Sequence, residues 1–289
     1  MYAAIDQLVQ GDGLTVRAVC HVLAVSRSGF YVWQGDREGV RVERDRELLP
    51  LIRDIFWRHK RRYGARRIAQ ELCFLNEPCG VARVARLLKT QGLRAIQPKS
   101  FRPRTTESRH RLGYNPNLLA GRAAPTQINE VWVGDITYIP LRGGTFGYLS
   151  LLMDLFSRRI VGWDYAASMT EPLVLSSLQS AIRSRQPGAG LIHHTDRGGQ
   201  YAGTKYRGVL RRAGMCQSMS GAGNCYDNAF MESCFGTIKT ELELSEYADG
   251  VEAMRELSSY VHYYNVERRH SSLGYVSPAD FEAEQATRK

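Results

Sequence analysis

No stretch of the 289 residues approaches the ~18 consecutive apolar positions of a membrane-spanning helix. Residues Met1 to Asp12 carry no positive charge ahead of an apolar run, so no secretory signal is readable. The expectation is a cytoplasmic protein with no membrane partner. Cysteine is sparse: the six (Cys20, Cys73, Cys79, Cys216, Cys225, Cys234) include no C-x-x-C pair, and the nearest histidines stand at no zinc-ligand spacing. That argues against a zinc ribbon or a disulfide framework and leaves reduced packing cysteines. His193 and His194 precede Thr195-Asp196, but adjacent residues on a strand point to opposite faces, so at most one of the two can face a given site.

Acidic residues are scarce where basic ones gather. Residues 51–125 hold 17 basic and 4 acidic residues, a net of +13, while the remaining 214 residues carry a net of −3 within a chain total of +10. One concentrated basic segment on an otherwise balanced chain suits a polyanionic partner. The rest is ordinary globular material, 43% hydrophobic and 24% charged, and long enough for about two domains.

Residues 1–45 read as an N-terminal helix-turn-helix segment. Thr15 can cap a first helix with Val16, Val19 and Leu23 inward, and Ser26 a second beginning RSGFYVW, whose first residues Arg27 and Ser28 would approach base edges or phosphates. Residues 46–95 form a second, basic helical domain of the same kind. Leu48, Leu49, Ile52, Ile55 and Phe56 make an amphipathic stripe, with Pro50 marking a kink or a helix start. Ile68, Leu72 and Leu75 mark the next helix, NEPCG a turn, and Val81, Val84, Leu87 and Leu88 a third ending at Gly92. Arg61, Arg62, Arg66, Arg67, Arg83, Arg86 and Lys89 are left for polar faces. Residues 96–125, with four prolines among Lys99, Arg102, Arg104, Arg109 and Arg111, lack either periodicity and read as a basic linker.

From Gln127 the pattern turns to strands, at 130–140, 147–156 and 158–166, joined by short turns as an antiparallel meander. A helix (171–185), a strand (190–196), a helix (204–212), a strand (215–219) and helices at 228–242 and 251–266 follow. The order βββαβαβα over residues 126–289 is that of a ribonuclease-H-like α/β domain with a mixed five-stranded sheet, here preceded by all-α segments.

Three carboxylates stand out in this domain. Asp135 lies mid-strand in an apolar stretch, where an unpartnered charge is costly and a divalent cation is the simplest partner. Asp196 ends the fourth strand, before Arg197-Gly198-Gly199-Gln200, and this fold makes the first and fourth strands neighbours. Glu232 sits on the helix after the glycine-rich loop SGAGNCYDN, with 60 residues between the first pair and 35 between the second. Carboxylates gathered so closely repel unless hard, oxygen-preferring cations lie between them, and two Mg²⁺ or Mn²⁺ suit phosphodiester chemistry. Glu232, Phe235 and Lys239 fall on one helix face, so that Lys239 could hold a phosphate beside the metals. Asp227 and Asn228 read as a cap of that helix, and Arg197 and Asn228 join Lys239 among the expected DNA contacts. Asp154, Asp164, Asp227 and Glu241 are acidic residues of the same region that periodicity alone does not exclude.

WVGDITYI (132–139), HTDRGGQY (194–201), GNCYDNAFMESCFGTIKTEL (223–242) and YNVERRHSSLGY (264–275) resemble the signature blocks of the transposase encoded by the second reading frame of IS3-family insertion sequences. VSRSGFYVW (25–33) and RRYGARRI (61–68) resemble that family's N-terminal helical segments, so the resemblance spans almost the whole chain. It implies a retroviral-integrase-like core in which Asp135, Asp196 and Glu232 bind two Mg²⁺ and catalyse 3′-end cleavage and strand transfer on double-stranded DNA. It also implies a homo-oligomer on DNA and a dependence on the upstream-frame product, or fusion to it, because a long heptad zipper is missing. No His/His/Cys/Cys zinc module is present either, which leaves recognition of the element's terminal repeats to the helical segments. Tyr264, Asn265, Arg268 and His270 read as structural or DNA-proximal. The competing readings are a ribonuclease-H-type nuclease that does not join strands and an inert DNA-binding partner. The two N-terminal modules argue against the first, and the intact triad against the second.

Overall fold

A computed structural model describes residues 1–34, 40–97, 113–221, 229–243 and 246–287. The chain divides into two compact units, Met1–Ala95 and Ile96–Lys289.

The first unit is all helical. Helices α1 (Tyr2–Gly11), α2 (Val16–Val22) and α3 (Arg27–Gln34) close around Ile5, Val19, Cys20 and Phe30. The two expected caps form: Thr15 Oγ1 accepts from the Ala18 amide at 3.3 Å and Ser26 Oγ from Gly29 at 3.4 Å. Gly29 lets α1 approach, since a Cβ there would lie 2.2 Å from the Tyr2 hydroxyl. Leu23, expected to point inward, is exposed, and Cys20 takes the buried position one turn earlier. Helix α4 (Val40–Arg58) begins ten residues before Pro50, which lies on its exposed face, where water can offset a missing amide donor. It buries Leu48, Ile52, Ile55 and Phe56 and packs against α5 (Ala65–Phe74) and α6 (Val81–Thr90). Gly92, at φ +65°, ends α6, with the Leu93 amide donating back to the Leu88 carbonyl at 2.9 Å. Leu75 is exposed rather than part of the buried stripe, because α5 stops at Phe74.

The second unit is built on a five-stranded sheet. Strands β1 (Val131–Leu141), β2 (Thr145–Asp154) and β3 (Ile160–Ala166) are antiparallel neighbours, and β4 (Ile192–Thr195) and β5 (Cys216–Met219) continue from β1 in parallel, in the order β3-β2-β1-β4-β5. This is the ribonuclease-H-like order the sequence predicts. Gly143 and Gly144 adopt φ +80° and +74° at the β1–β2 turn, a conformation open to glycine. Helices α7 (Glu171–Arg185), α8 (Gly199–Ala202) and α9 (Thr204–Arg212) cover one face, where Trp132, Leu152 and Val161 pack with Val174, Leu178, Tyr206 and Leu210. Gly162 permits the close approach of α7, since a Cβ there would lie 2.4 Å from the Ser177 carbonyl oxygen. On the other face lie α10 (Ala229–Glu241) and α11 (Gly250–Val266), with α12 (Pro278–Thr287) packed on α11. Residues 113–119, at the end of the segment read as a linker, run along β5: the Met219 amide donates to Pro116, and Ser218 Oγ accepts from Leu118 at 2.9 Å.

Candidate active site

The alternation of β1 turns Trp132 and Ile136 toward α7 and α9, and hence Asp135 toward the face covered by α10. Asp135 is half-buried, and its Oδ1 accepts from the Ile136 amide at 2.7 Å. The parallel pairing of β1 with β4 runs through Gly134↔Thr195, which makes Asp196, just past the carboxyl end of β4, the neighbour of Asp135 in the middle of β1. Asp196 Oδ1 accepts from Gly198 at 2.9 Å, and a Cβ on Gly198 would lie 3.0 Å from that oxygen. A side chain at Gly198 would therefore crowd the carboxylate at the point where the backbone curls around it. The fold thus brings two of the three predicted carboxylates together.

Glu232 stands exposed on the first turn of α10, a helix anchored on the sheet by Met231, Cys234, Phe235 and Ile238. Among the described residues no group of three or more His, Cys, Asp or Glu side chains has metal-ligand spacing, so Glu232 is not closed onto the two aspartates. Phe235, expected on the face shared by Glu232 and Lys239, is buried. Lys239 is half-buried on α10; burial lowers its pKa, and the negative charge of Asp135 opposes that shift, so the ammonium lies within the carboxylate's field. Arg197 is engaged by its own chain: Nε donates to the Ser220 carbonyl at 2.7 Å and the guanidinium lies 4.7 Å over the Tyr114 ring. Ser220 in turn donates its amide and hydroxyl to Thr195, which fixes the start of the glycine-rich loop on β4. Asn228, Asp227, Arg102 and Arg104 lie outside the described residues.

The rival acids have structural work. Asp154 is fully buried and accepts from the amides of Asn129, Phe156 and Ser157 and from the Ser157 hydroxyl; burial nonetheless raises its pKa. Glu241 is locked to Arg268 at 2.8 Å and to the Tyr260 hydroxyl at 2.9 Å. Asp164 turns back on the Tyr165 amide. The histidine pair divides as the strand alternation predicts. His193 meets the Tyr206 hydroxyl at 2.6 Å, His194 meets Ser218 Oγ at 2.8 Å, and both rings are fully buried. In the YNVERRH block, Asn265 bonds both the amide and the carbonyl of Ile160, Tyr264 is buried, and Arg268 reaches His270, so these residues hold α11 and the following turn on the sheet.

In the helical unit, Arg27 and Ser28 are exposed on the first turn of α3, and Arg66 is exposed on α5. Arg61 and Arg62 are half-buried just after α4, Arg61 at φ +63°, and Arg67 lies over the ring of the buried Tyr63. Arg83 and Arg86, read from the sequence as lying on polar faces, are partly exposed and bridged to Asp45 at 2.7 and 2.6 Å.

Tyr201 escaped the sequence reading. It closes the HTDRGGQY block, is 2% exposed, and its hydroxyl feels the charges of both Asp135 and Asp196. Its spacing of five from Asp196 was the available signal, but an aromatic at that position reads equally well as core.

Residues 125–225 and 213–278 match models of an integrase core domain, and residues 43–101 a model of an HTH-like domain. A 31 kDa protein of insertion element IS600 from Shigella sonnei is 42% identical over 266 residues, covering 91% of this chain and 97% of that protein. The transposase InsF for insertion sequence IS3A of Escherichia coli (strain K12) is 38% identical over 272 residues, covering 93% and 94%. The transposase for insertion sequence element IS904 of Lactococcus lactis is 40% identical over 241 residues, covering 82% and 94%. With this identity over nearly its whole length, and an integrase core whose first and fourth strands set two aspartates side by side, the chain belongs to the IS3 family of insertion-sequence transposases.

Proposed function

We propose that the protein carries out DNA strand transfer for its element, with Asp135, Asp196 and Glu232 as the acidic triad. In the first step a water oxygen attacks the phosphorus at the element's end. The P–O3′ bond breaks, and the 3′ oxygen leaves as a hydroxyl. In the second step that hydroxyl attacks a target phosphodiester, loses its proton, and releases a target 3′-OH. Each step exchanges one P–O bond for another, so neither a covalent protein intermediate nor an external energy source is required.

Asp135 and Asp196 offer hard oxygen donors side by side, a set that suits Mg²⁺ or Mn²⁺ over softer ions, and Glu232 on α10 would complete the ligands. Two such ions, when bound, activate the attacking oxygen and stabilise the leaving one. Lys239, within the field of Asp135, is a cation that would meet a phosphate at the same place. The observation that carries the proposal is the adjacency of Asp135 and Asp196 in a chain so close to named transposases.

Grip on double-stranded DNA falls to the helical segments 1–45 and 46–95, the basic linker 96–125 and the rim of the core at 126–289. Exposed Arg27, Ser28 and Arg66 lead, with Arg61, Arg62, Arg67, Arg102, Arg104, Arg197 and Asn228 beside them. The active form is a homo-oligomer on DNA that works with the upstream-frame product or fused to it. The test is a labelled end duplex with Mg²⁺ or Mn²⁺, run beside Glu232→Gln. Joined product from the parent and none from the variant is the expected result. Cleavage without joining would identify a nuclease instead, and failure of both proteins even with the upstream segment added would identify an inert DNA-binding partner. If binding neutralises ~6 phosphates, affinity falls about a thousandfold between 50 and 200 mM salt.

A further inference from the structure

Tyr201 is held firmly. Its amide donates to the Gly198 carbonyl at 3.0 Å, its carbonyl accepts from Gln217 Nε2 at 2.7 Å, and its ring stands edge-on to Tyr206 at 5.5 Å. Gly198 lies between this ring and the second aspartate: a Cβ there would stand 3.5 Å from Tyr201 Cδ2 and 3.0 Å from Asp196 Oδ1. In a side chain so thoroughly buried, the hydroxyl has no hydrogen-bond partner among the described residues. Its neighbour Tyr206 differs, its hydroxyl being hydrogen-bonded with His193 Nε2 at 2.6 Å.

A buried hydroxyl without a partner costs about 1–3 kcal/mol, and phenylalanine would fill the same ring volume without that cost. A partner gained in another state of the molecule would offset that cost. After burial itself, the charges acting on the Tyr201 hydroxyl are those of Asp135 and Asp196, followed by Tyr206. The Tyr201 ring thus stands beside the Asp196 carboxylate across Gly198, and its hydroxyl has no partner among the described residues.

We propose that Tyr201 is a positioning residue for the Asp135–Asp196 pair, its hydroxyl donating to these carboxylates when the site takes up a divalent cation and fixing which oxygens face the ion. Hydrogen bonds from behind a ligating carboxylate act in this way in metal sites generally, and their loss weakens the metal about 10- to 100-fold. The inference rests on the reading of Asp135 and Asp196 as cation ligands.

The experiment is calorimetric titration of MnCl₂ into the full chain, comparing the parent with Tyr201→Phe and Asp196→Asn, together with melting curves of the metal-free proteins. Expected are a Mn²⁺ affinity reduced about tenfold in Tyr201→Phe, a metal-free melting temperature equal to or above the parent's, and no binding by Asp196→Asn. A purely structural hydroxyl would show the reverse, unchanged affinity or a lowered melting temperature, and either result overturns the role of Tyr201 while leaving the acidic site in place. Binding that survives Asp196→Asn, or is absent from the parent, overturns the reading of the site and this inference with it.

Discussion

Asp135 and Asp154 stand on neighbouring strands of one sheet, both in apolar surroundings, and their fates differ completely. Asp154, at the end of β2, is fully buried and accepts three backbone amides and a hydroxyl. Asp135, mid-β1, is half-buried and lies beside a second aspartate. The same contrast recurs between Glu241, closed by Arg268 and Tyr260, and Glu232, exposed nine residues earlier on the opposite face of the same helix. A carboxylate surrounded by donors of its own chain serves the fold. One placed beside another carboxylate, as Asp135 is beside Asp196, concentrates negative charge, which under the proposed function cations would offset.

Substitutions sharpen the distinction. Asp135→Asn should abolish strand joining, a loss on the order of a thousandfold or more, with little change in melting temperature. Arg268→Ala should act the other way round, lowering stability by about 3–5 kcal/mol because it strands the buried Glu241 charge. Urea unfolding of both variants beside the joining assay checks the pair; a stable Arg268→Ala protein would break the comparison.

His193 gives a pH test of the structural class. Burial holds its pKa down to about 3 against an ordinary 6.5. Between those values the unfolded chain binds a proton that the folded one refuses, so stability rises with pH through this window and is lost as pH falls. From pH 6.5 to 5 the loss should be about 2 kcal/mol, measured by urea midpoints, and His193→Gln should flatten it. The smallest effect concerns the helical unit, where Asp45 occupies Arg83 and Arg86. If those arginines are withheld from DNA, Asp45→Asn should raise affinity a few-fold and steepen the salt dependence by up to about 0.9 for each phosphate gained. An unchanged slope would mean that this face does not meet DNA.

Much of this was legible in advance. β-Branched alternation and the Gly143-Gly144 turn announced the meander, and Thr15 and Ser26 announced their helices, because each signal is local. Helix α1 was missed because Met1 provides no side-chain cap and its buried side is reduced to Ile5. The ion pairs of Arg83 and Arg86 were not legible because their partner stands 38 and 41 residues upstream, beyond any local pattern.

What the sequence determined by itself was the architecture and the short list of acidic residues, since periodicity, turn chemistry and spacing are properties of neighbours along the chain. Among those acids the residue patterns alone left a choice, which the family resemblance narrowed to Asp135, Asp196 and Glu232. Only the tertiary structure decided which carboxylates are satisfied by their own fold: Asp154 meets Asn129 from 25 residues away and Glu241 meets Arg268 from 27. The hydroxyl of Tyr201, without a partner among the described residues, belongs to the same class of fact. A hydrogen bond, or the lack of one, depends on distances of a few ångströms between groups far apart in the chain, and that information exists once the chain has folded.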